Sequence, residues 1–409
     1  MLHTLHSLQD VGQHYQWLQQ MRETQPVWLD ESSGCWHVFR YTDVHRVITD
    51  YSLFSAERNL RARKSSVSGR KRGRSLLVMD PPDHRQYRGL VSSAFTPKAL
   101  ARLSGRIAAI TQELLNEIRP KGRVDLVSDF ANPLPTTVIA EMLGVPTSDR
   151  PLFKTWADAL LSRQVKDSEF FKSDERQEDQ ALDKTFDEMS DYFEQLLEER
   201  RRHPQVDMMS DLLAAEVDGE HLSLEDTISF CIVLLIAGHV TTTSLLGQAV
   251  RCFNEHPEAL AQLRAQPELM PNAIEEVLRY ASPAWRLGRM TKTEVTLGDV
   301  TIPAGAFIFA WLASANRDAE QFPDPDRFDI TRTPNKHVAF GHGIHFCIGA
   351  PLSRMEASIA LPMLLEQLPG LRISSEEPLE LFQGTGLFGF KHLPVVFIPS
   401  EQKEMILQS

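Results

Sequence analysis

The sequence predicts a mainly α-helical fold with a small β region, carried as a single domain over residues 1–409. Three observations predict it. Several long stretches space their apolar residues at the helical period, while strand-like runs are few and short. No run rich in Gly, Ser or Pro marks a domain boundary, and no internal repeat is visible. In chain order, Gly34–Arg40 reads as a strand. Leu100–Ile118 and Asp179–Arg202 read as helices. A third helix opens near Ser223, where Ser-Leu-Glu-Asp resembles a capping box. It continues through FCIVLLIAGHVTTTSLLGQAVRCF, apolar nearly all round and therefore expected to be buried at the centre. Asn272–Tyr280 and Ala350–Leu368 are further helices. Val295–Ile302, then Pro303-Ala304-Gly305 and Ala306–Ala310, suggest a small hairpin, and Leu393–Ile398 a last strand.

Composition narrows the function. Of 409 residues, 42% are hydrophobic and 24% charged, enough apolar content to bury a large core and a cofactor within it. The net charge of -12 argues against nucleic acid as a partner, because phosphate neutralisation needs a basic face. Four cysteines (Cys35, Cys231, Cys252 and Cys347) form no CxxC pair and are too sparse for a disulfide scaffold, as expected in a reducing cytoplasm. The N-terminus lacks the apolar core of a signal peptide, and no run reaches about 18 consecutive apolar residues, so no membrane span is expected. One block departs from the acidic average. Arg58, Arg61, Arg63, Lys64, Arg70, Lys71, Arg72 and Arg74 lie in a stretch without an acid, the pattern of a solvated loop or of a site for an anionic partner.

The densest chemistry lies at Phe340-Gly341-His342-Gly343-Ile344-His345-Phe346-Cys347-Ile348-Gly349. Three glycines permit tight turns. Cys347 directly precedes an amphipathic helix, whose N-terminal amides favour a thiolate over a thiol. A lone cysteine is more often a buried free thiol; the glycine frame is what distinguishes this one. The segment resembles the heme-binding loop of the cytochrome P-450 family, with every specified position present.

That resemblance implies heme b with the Cys347 thiolate as axial iron ligand, O2 as co-substrate, and the mostly helical fold of that family. It implies a frame of Phe340, Gly341 and Gly349 around the ligand, and cations for the heme propionates at His84, Arg88, Arg289 and His345. Glu276 and Arg279, an acid–base pair at i,i+3, would form with Arg327 of the FPDPDRF loop a structural charge network behind the cysteine. On the central helix, Ala237 and Gly238 would approach the heme face, Gly238 opening the helix locally, and Thr241 would be the alcohol above the iron. Val240 stands where the family carries an acid. Valine relays no proton, so either water or another group does so, or the substrate supplies the contact, or peroxide replaces O2 and reductant. His239 lies about 100° around the helix from Val240 and is not assigned that role.

The implied pocket offers Leu77, Val78, Leu234, Trp285, Leu287, Leu387 and Phe388, an apolar lining. The reaction implied is monooxygenation of an apolar small molecule, by hydroxylation or epoxidation, with a secondary metabolite such as a polyketide or macrolide as the substrate class. Electrons are expected from a separate ferredoxin or flavodoxin with its reductase, docking near Lys336, Arg354, Arg102 or Arg106. The basic block suggests a carboxylate or an acyl carrier protein as a further partner. A peroxide-driven oxygenase and a non-catalytic heme protein that binds or presents a metabolite are the alternatives.

Overall fold

The computed structural model describes residues 7–57, 73–92, 95–161, 176–217, 219–383 and 386–400. A single long helix, Leu224–Glu255, runs through the middle. Its length follows from an uninterrupted apolar run and a firm start: Ser223 caps it, its hydroxyl accepting the Asp226 N–H at 3.0 Å. The reciprocal half of the expected capping box is diverted. The Asp226 carboxylate instead accepts the Arg74 backbone N–H at 2.7 Å and the Arg74 guanidinium at 2.8 and 3.0 Å. By length and composition this helix could cross a membrane, with mean hydropathy 1.8 over 18 residues. However, 67% of that window is buried inside the protein, so its apolarity is that of a core element.

Helices Pro133–Leu143, Arg176–Arg202 and Ala350–Gln367 pack around it, and Ser104–Ile118 packs on the last of these. The helix expected from Leu100 begins at Ser104, because Thr96 caps a separate short helix, Pro97–Ala101. Pro133–Leu143 escapes a periodicity search: eight of its eleven residues are buried, leaving no polar stripe to give a period.

The β region is a five-stranded sheet of β1 (Val27–Asp30), β2 (Cys35–Val38), β3 (Phe54–Ser55), β4 (Arg286–Thr291) and β5 (Phe307–Trp311), in the order β1-β2-β5-β4-β3. β2 and β5 pair in parallel, Ile308 opposite Trp36, and the other pairs are antiparallel. Val295–Leu297 and Val300–Ile302 form the expected hairpin, turning at Gly298 with φ +54°. Pro394–Val396 pairs with Arg123–Asp125 and with Arg372–Ile373. The sheet sets β4 beside the cysteine loop, and the central helix lies against Ala350–Gln367, which begins at the end of that loop.

Candidate functional site

The loop reaches Cys347 through two left-handed turns, at Gly341 with φ +68° and Gly343 with φ +71°. An added Cβ at Gly343 would also come within 3.1 Å of the Thr49 backbone. Gly349 differs from the expectation of a third tight turn: its φ is -82°, open to any residue. Its contribution is its N–H, which points with that of Ala350 at the Cys347 sulfur. The Cys347 N–H donates to the Phe340 carbonyl at 3.0 Å, closing the loop. Burial pushes the thiol up, and the two amides, with the charges of Arg88 and Arg354, bring it only part of the way back. The helix terminus alone therefore does not make a thiolate here; coordination to a metal would, since a bound cation deprotonates its thiol ligand.

Cationic side chains gather next to the sulfur. His84 and Arg88 sit one turn apart on helix Asp83–Ser92, as their spacing predicts. The His84 and His345 rings lie 4.4 Å apart, and Arg289 is buried on β4. Burial, followed by the charges of Arg289 and His84, pushes His345 down to about 3. The Nε2 atoms of both histidines are buried with no hydrogen-bond partner among the described residues. A buried arginine beside two histidines with orphaned ring nitrogens calls for an anion, and a heme supplies two carboxylates on one edge. Arg88 departs from expectation. Its Nη1 and Nη2 donate to the carbonyls of Ile344 and Phe346 at 3.0 and 2.7 Å, so its guanidinium holds the cysteine loop.

In its middle the central helix exposes Ala237 and half-exposes Val233 and Thr241, a stripe at i, i+4 and i+8 flanked by half-exposed Ile236 and Gly238. The Thr241 hydroxyl donates to the Ala237 carbonyl at 2.8 Å and keeps its oxygen lone pairs available. Val240 is buried and apolar, and His239 is fully buried. Gly238 does not open the helix, which runs unbroken. A Cβ there would lie 2.8 Å from Cδ1 of Ile139, so this glycine lets helix Pro133–Leu143 approach closely. A sulfur under helix N-terminal amides, basic side chains beside it and an exposed apolar stripe on the central helix fit a planar anionic prosthetic group.

Behind the cysteine, Arg279 donates to both oxygens of Glu276 at 2.8 Å, both side chains fully buried. Arg327 is not the third side chain: 69% of it is exposed, 4.0 Å from Asp329, and it offers only its carbonyl to Arg279. Arg332 takes that place, 3.3 Å from Glu276, with Asn335 donating at 3.1 Å. Sequence reasoning missed both because they lie past the FPDPDRF motif, in a loop whose path has no local signature.

The proposed pocket divides. The turn at Gly386 accepts the Trp285 N–H at 2.7 Å, and Phe388 N–H donates to Pro283 at 2.9 Å, so the C-terminal turn meets β4 as expected. Leu77 is 59% exposed, and Val78, Leu287 and Leu387 are half-exposed. Leu234, Trp285 and Phe388 belong to the core instead. Trp285 is stacked between His14 at 4.7 Å and Phe388 at 4.3 Å, and aromatic area of that size is better buried than left lining a cleft. Of the docking cations, Lys336 and Arg102 are exposed; Arg354 and Arg106 are engaged with Glu275 and Glu141. The basic block lies outside the described residues except Arg74, so the carrier-protein expectation gains nothing here.

A family model described as cytochrome P450 matches residues 2–390. The cyclomarin C epoxidase of Salinispora arenicola is 40% identical over 388 residues, 94% of this chain and 95% of its own. The erythromycin C-12 hydroxylase of Saccharopolyspora erythraea is 39% identical over 384 residues, 93% of each chain. Among solved structures, CYP109E1 from Bacillus megaterium in complex with testosterone superposes with a TM-score of 0.83 at 39% identity, covering 94% of this chain and 99% of that one.

Proposed function

This chain belongs to the cytochrome P450 family, and from that premise we propose that it oxidises an apolar small molecule at the site between Cys347 and Thr241. The enzyme is a heme-dependent monooxygenase: substrate–H, O2, two electrons and two protons give substrate–OH and water. Bound heme supplies the iron that activates O2, and a thiolate ligand favours O–O cleavage.

The protein's own residues do the rest. Cys347 would be the axial ligand, its negative charge stabilised by the amides of Gly349 and Ala350. His84, Arg289 and His345 would take the propionates. Thr241, whose hydroxyl proton goes to the Ala237 carbonyl, would accept a hydrogen bond from a water in the site. Val78, Leu287 and Leu387 would keep the site dry and leave orientation of the substrate to shape. Val240 contributes no proton. Among the compounds named for the relatives, erythromycin, a macrolide, favours a secondary metabolite such as a polyketide or macrolide as substrate, while testosterone, a steroid, supports only the broader class of apolar small molecules. Electrons come from a separate redox partner, for which we propose a ferredoxin or flavodoxin with its reductase, in the cytoplasm.

The carrying observation is the Cys347 sulfur under two helix N-terminal amides, with orphaned His84 and His345 nitrogens beside it. Dithionite-reduced protein with CO should give a strongly red-shifted Soret band, and Cys347→Ser should abolish it. A band at the position of imidazole-ligated heme in fresh wild-type protein would overturn the assignment. Buried Val240 favours one second reading, a peroxide-driven oxygenase. Turnover with hydrogen peroxide and no reductase, at a rate matching the reconstituted system, would establish it.

A further inference from the structure

We propose that Glu275 is a positioning residue for the axial cysteine, a carboxylate that ties both flanks of the 338–349 loop to helix Met270–Tyr280 and balances the positive charge of Arg354 beside the sulfur. The inference rests on Cys347 being the iron ligand.

The contacts are short and come from both sides of the loop. Arg354, in the second turn of the helix that follows the cysteine, donates to Glu275 Oε1 at 2.6 Å and to Oε2 at 2.8 Å. His337, just before the loop, meets Oε2 through Nε2 at 3.0 Å. The Ala339 N–H donates to His337 Nδ1 at 3.2 Å, so the ring's proton sits on Nε2 and faces the carboxylate. The Arg354 guanidinium also lies over the Phe340 ring, 4.6 Å from its centroid, and the Phe340 carbonyl is the one that accepts the Cys347 N–H. One carboxylate thus fixes the segment entering the loop, the ring within it and the helix leaving it. Burial opposes the charge on Glu275, but the hydrogen bonds from Arg354 and His337 outweigh it and hold the group at about 2. Its neighbour Glu276 points into the separate network with Arg279, so the two adjacent acids serve different partners.

The pair has an electrostatic consequence. Arg354, stacked over the Phe340 ring whose backbone carbonyl accepts the Cys347 N–H, sets a positive charge on the cysteine loop, and Glu275 offsets that field. Partners one step removed from a metal ligand tune the metal in this way. Neutralising Glu275 leaves Arg354 uncompensated, which favours the electron-rich reduced state. Neutralising Arg354 leaves Glu275 uncompensated, which favours the oxidised state. Mere loosening of the loop has no reason to separate the two in sign.

The test is a spectroelectrochemical titration of heme-loaded protein, with the reduced-CO band followed over time. Glu275→Gln should raise the iron's reduction potential and Arg354→Met should lower it. Arg354→Lys, which keeps the charge but not the fork, should leave the potential near wild type while its red-shifted band decays several-fold faster. Shifts of the same sign in Glu275→Gln and Arg354→Met, or no shift in either, overturn the proposal. Absence of the red-shifted band in wild-type protein removes the ligand assignment and the proposal with it; its presence with unmoved potentials removes the proposal alone.

Discussion

Glu356 is fully buried on the helix that follows the cysteine, and its Oε2 has no hydrogen-bond partner among the described residues. Burial raises its pKa well above the ordinary carboxylate value, so the folded protein holds it as a neutral acid further up the pH scale than the unfolded chain does. The folded state then binds the extra proton, and stability falls as pH rises from about 4.5 toward the folded pKa. Glu356→Gln removes that proton exchange. Melting temperatures across pH 5–8 should fall more steeply for wild type than for the variant; parallel slopes would mean that Glu356 is ionised in the fold. Nothing in the sequence marks this group: a Glu between Met355 and Ala357 reads as one more helix residue, and only the packing of neighbouring helices strips water from it. Cys347 is the opposite case, since the glycine frame that singles it out lies within a few residues of it along the chain.

Across elements, the charge network behind the cysteine illustrates how far a motif reaches. Glu276 and Arg279 were legible because both lie on one face of one helix, three residues apart. Their third side-chain partner comes from a loop about fifty residues away, and there the FPDPDRF motif indicated Arg327 while the chain presents Arg332. Arg279→Ala should cost about 3–5 kcal/mol by stranding buried Glu276. Arg332→Ala should cost less, about 1–3 kcal/mol, because Glu276 keeps Arg279 and Asn335. Arg327→Ala, removing an exposed side chain, should stay within about 0.5 kcal/mol. Denaturant midpoints of the three heme-loaded variants give this order directly, and a large loss from Arg327→Ala would restore the motif-based assignment.

At the scale of the whole molecule, fold and cofactor are thermodynamically linked. His84 and His345 bury ring nitrogens without partners among the described residues beside Arg289, and an anionic cofactor that bridges the three stabilises the native state by mass action. Heme-free protein should therefore melt at a lower temperature than loaded protein, with the difference shrinking when His345→Gln removes one of the groups that would bind the cofactor's carboxylates. Equal melting temperatures would mean that the site forms without regard to its occupant. By itself the sequence determined the fold class, the buried central helix, the cysteine ligand with its glycine turns, and the histidine–arginine turn at His84 and Arg88. Each of these is encoded locally, in a period, a cap or a short motif. Tertiary structure alone decided that Gly238 serves Ile139, that Trp285 and Phe388 are core, that Arg88 holds the loop, and that Arg332 and Glu275 complete the cysteine's support. In each of these cases the partner lies many residues away, and the burial and charge that fix the role exist only once distant segments meet.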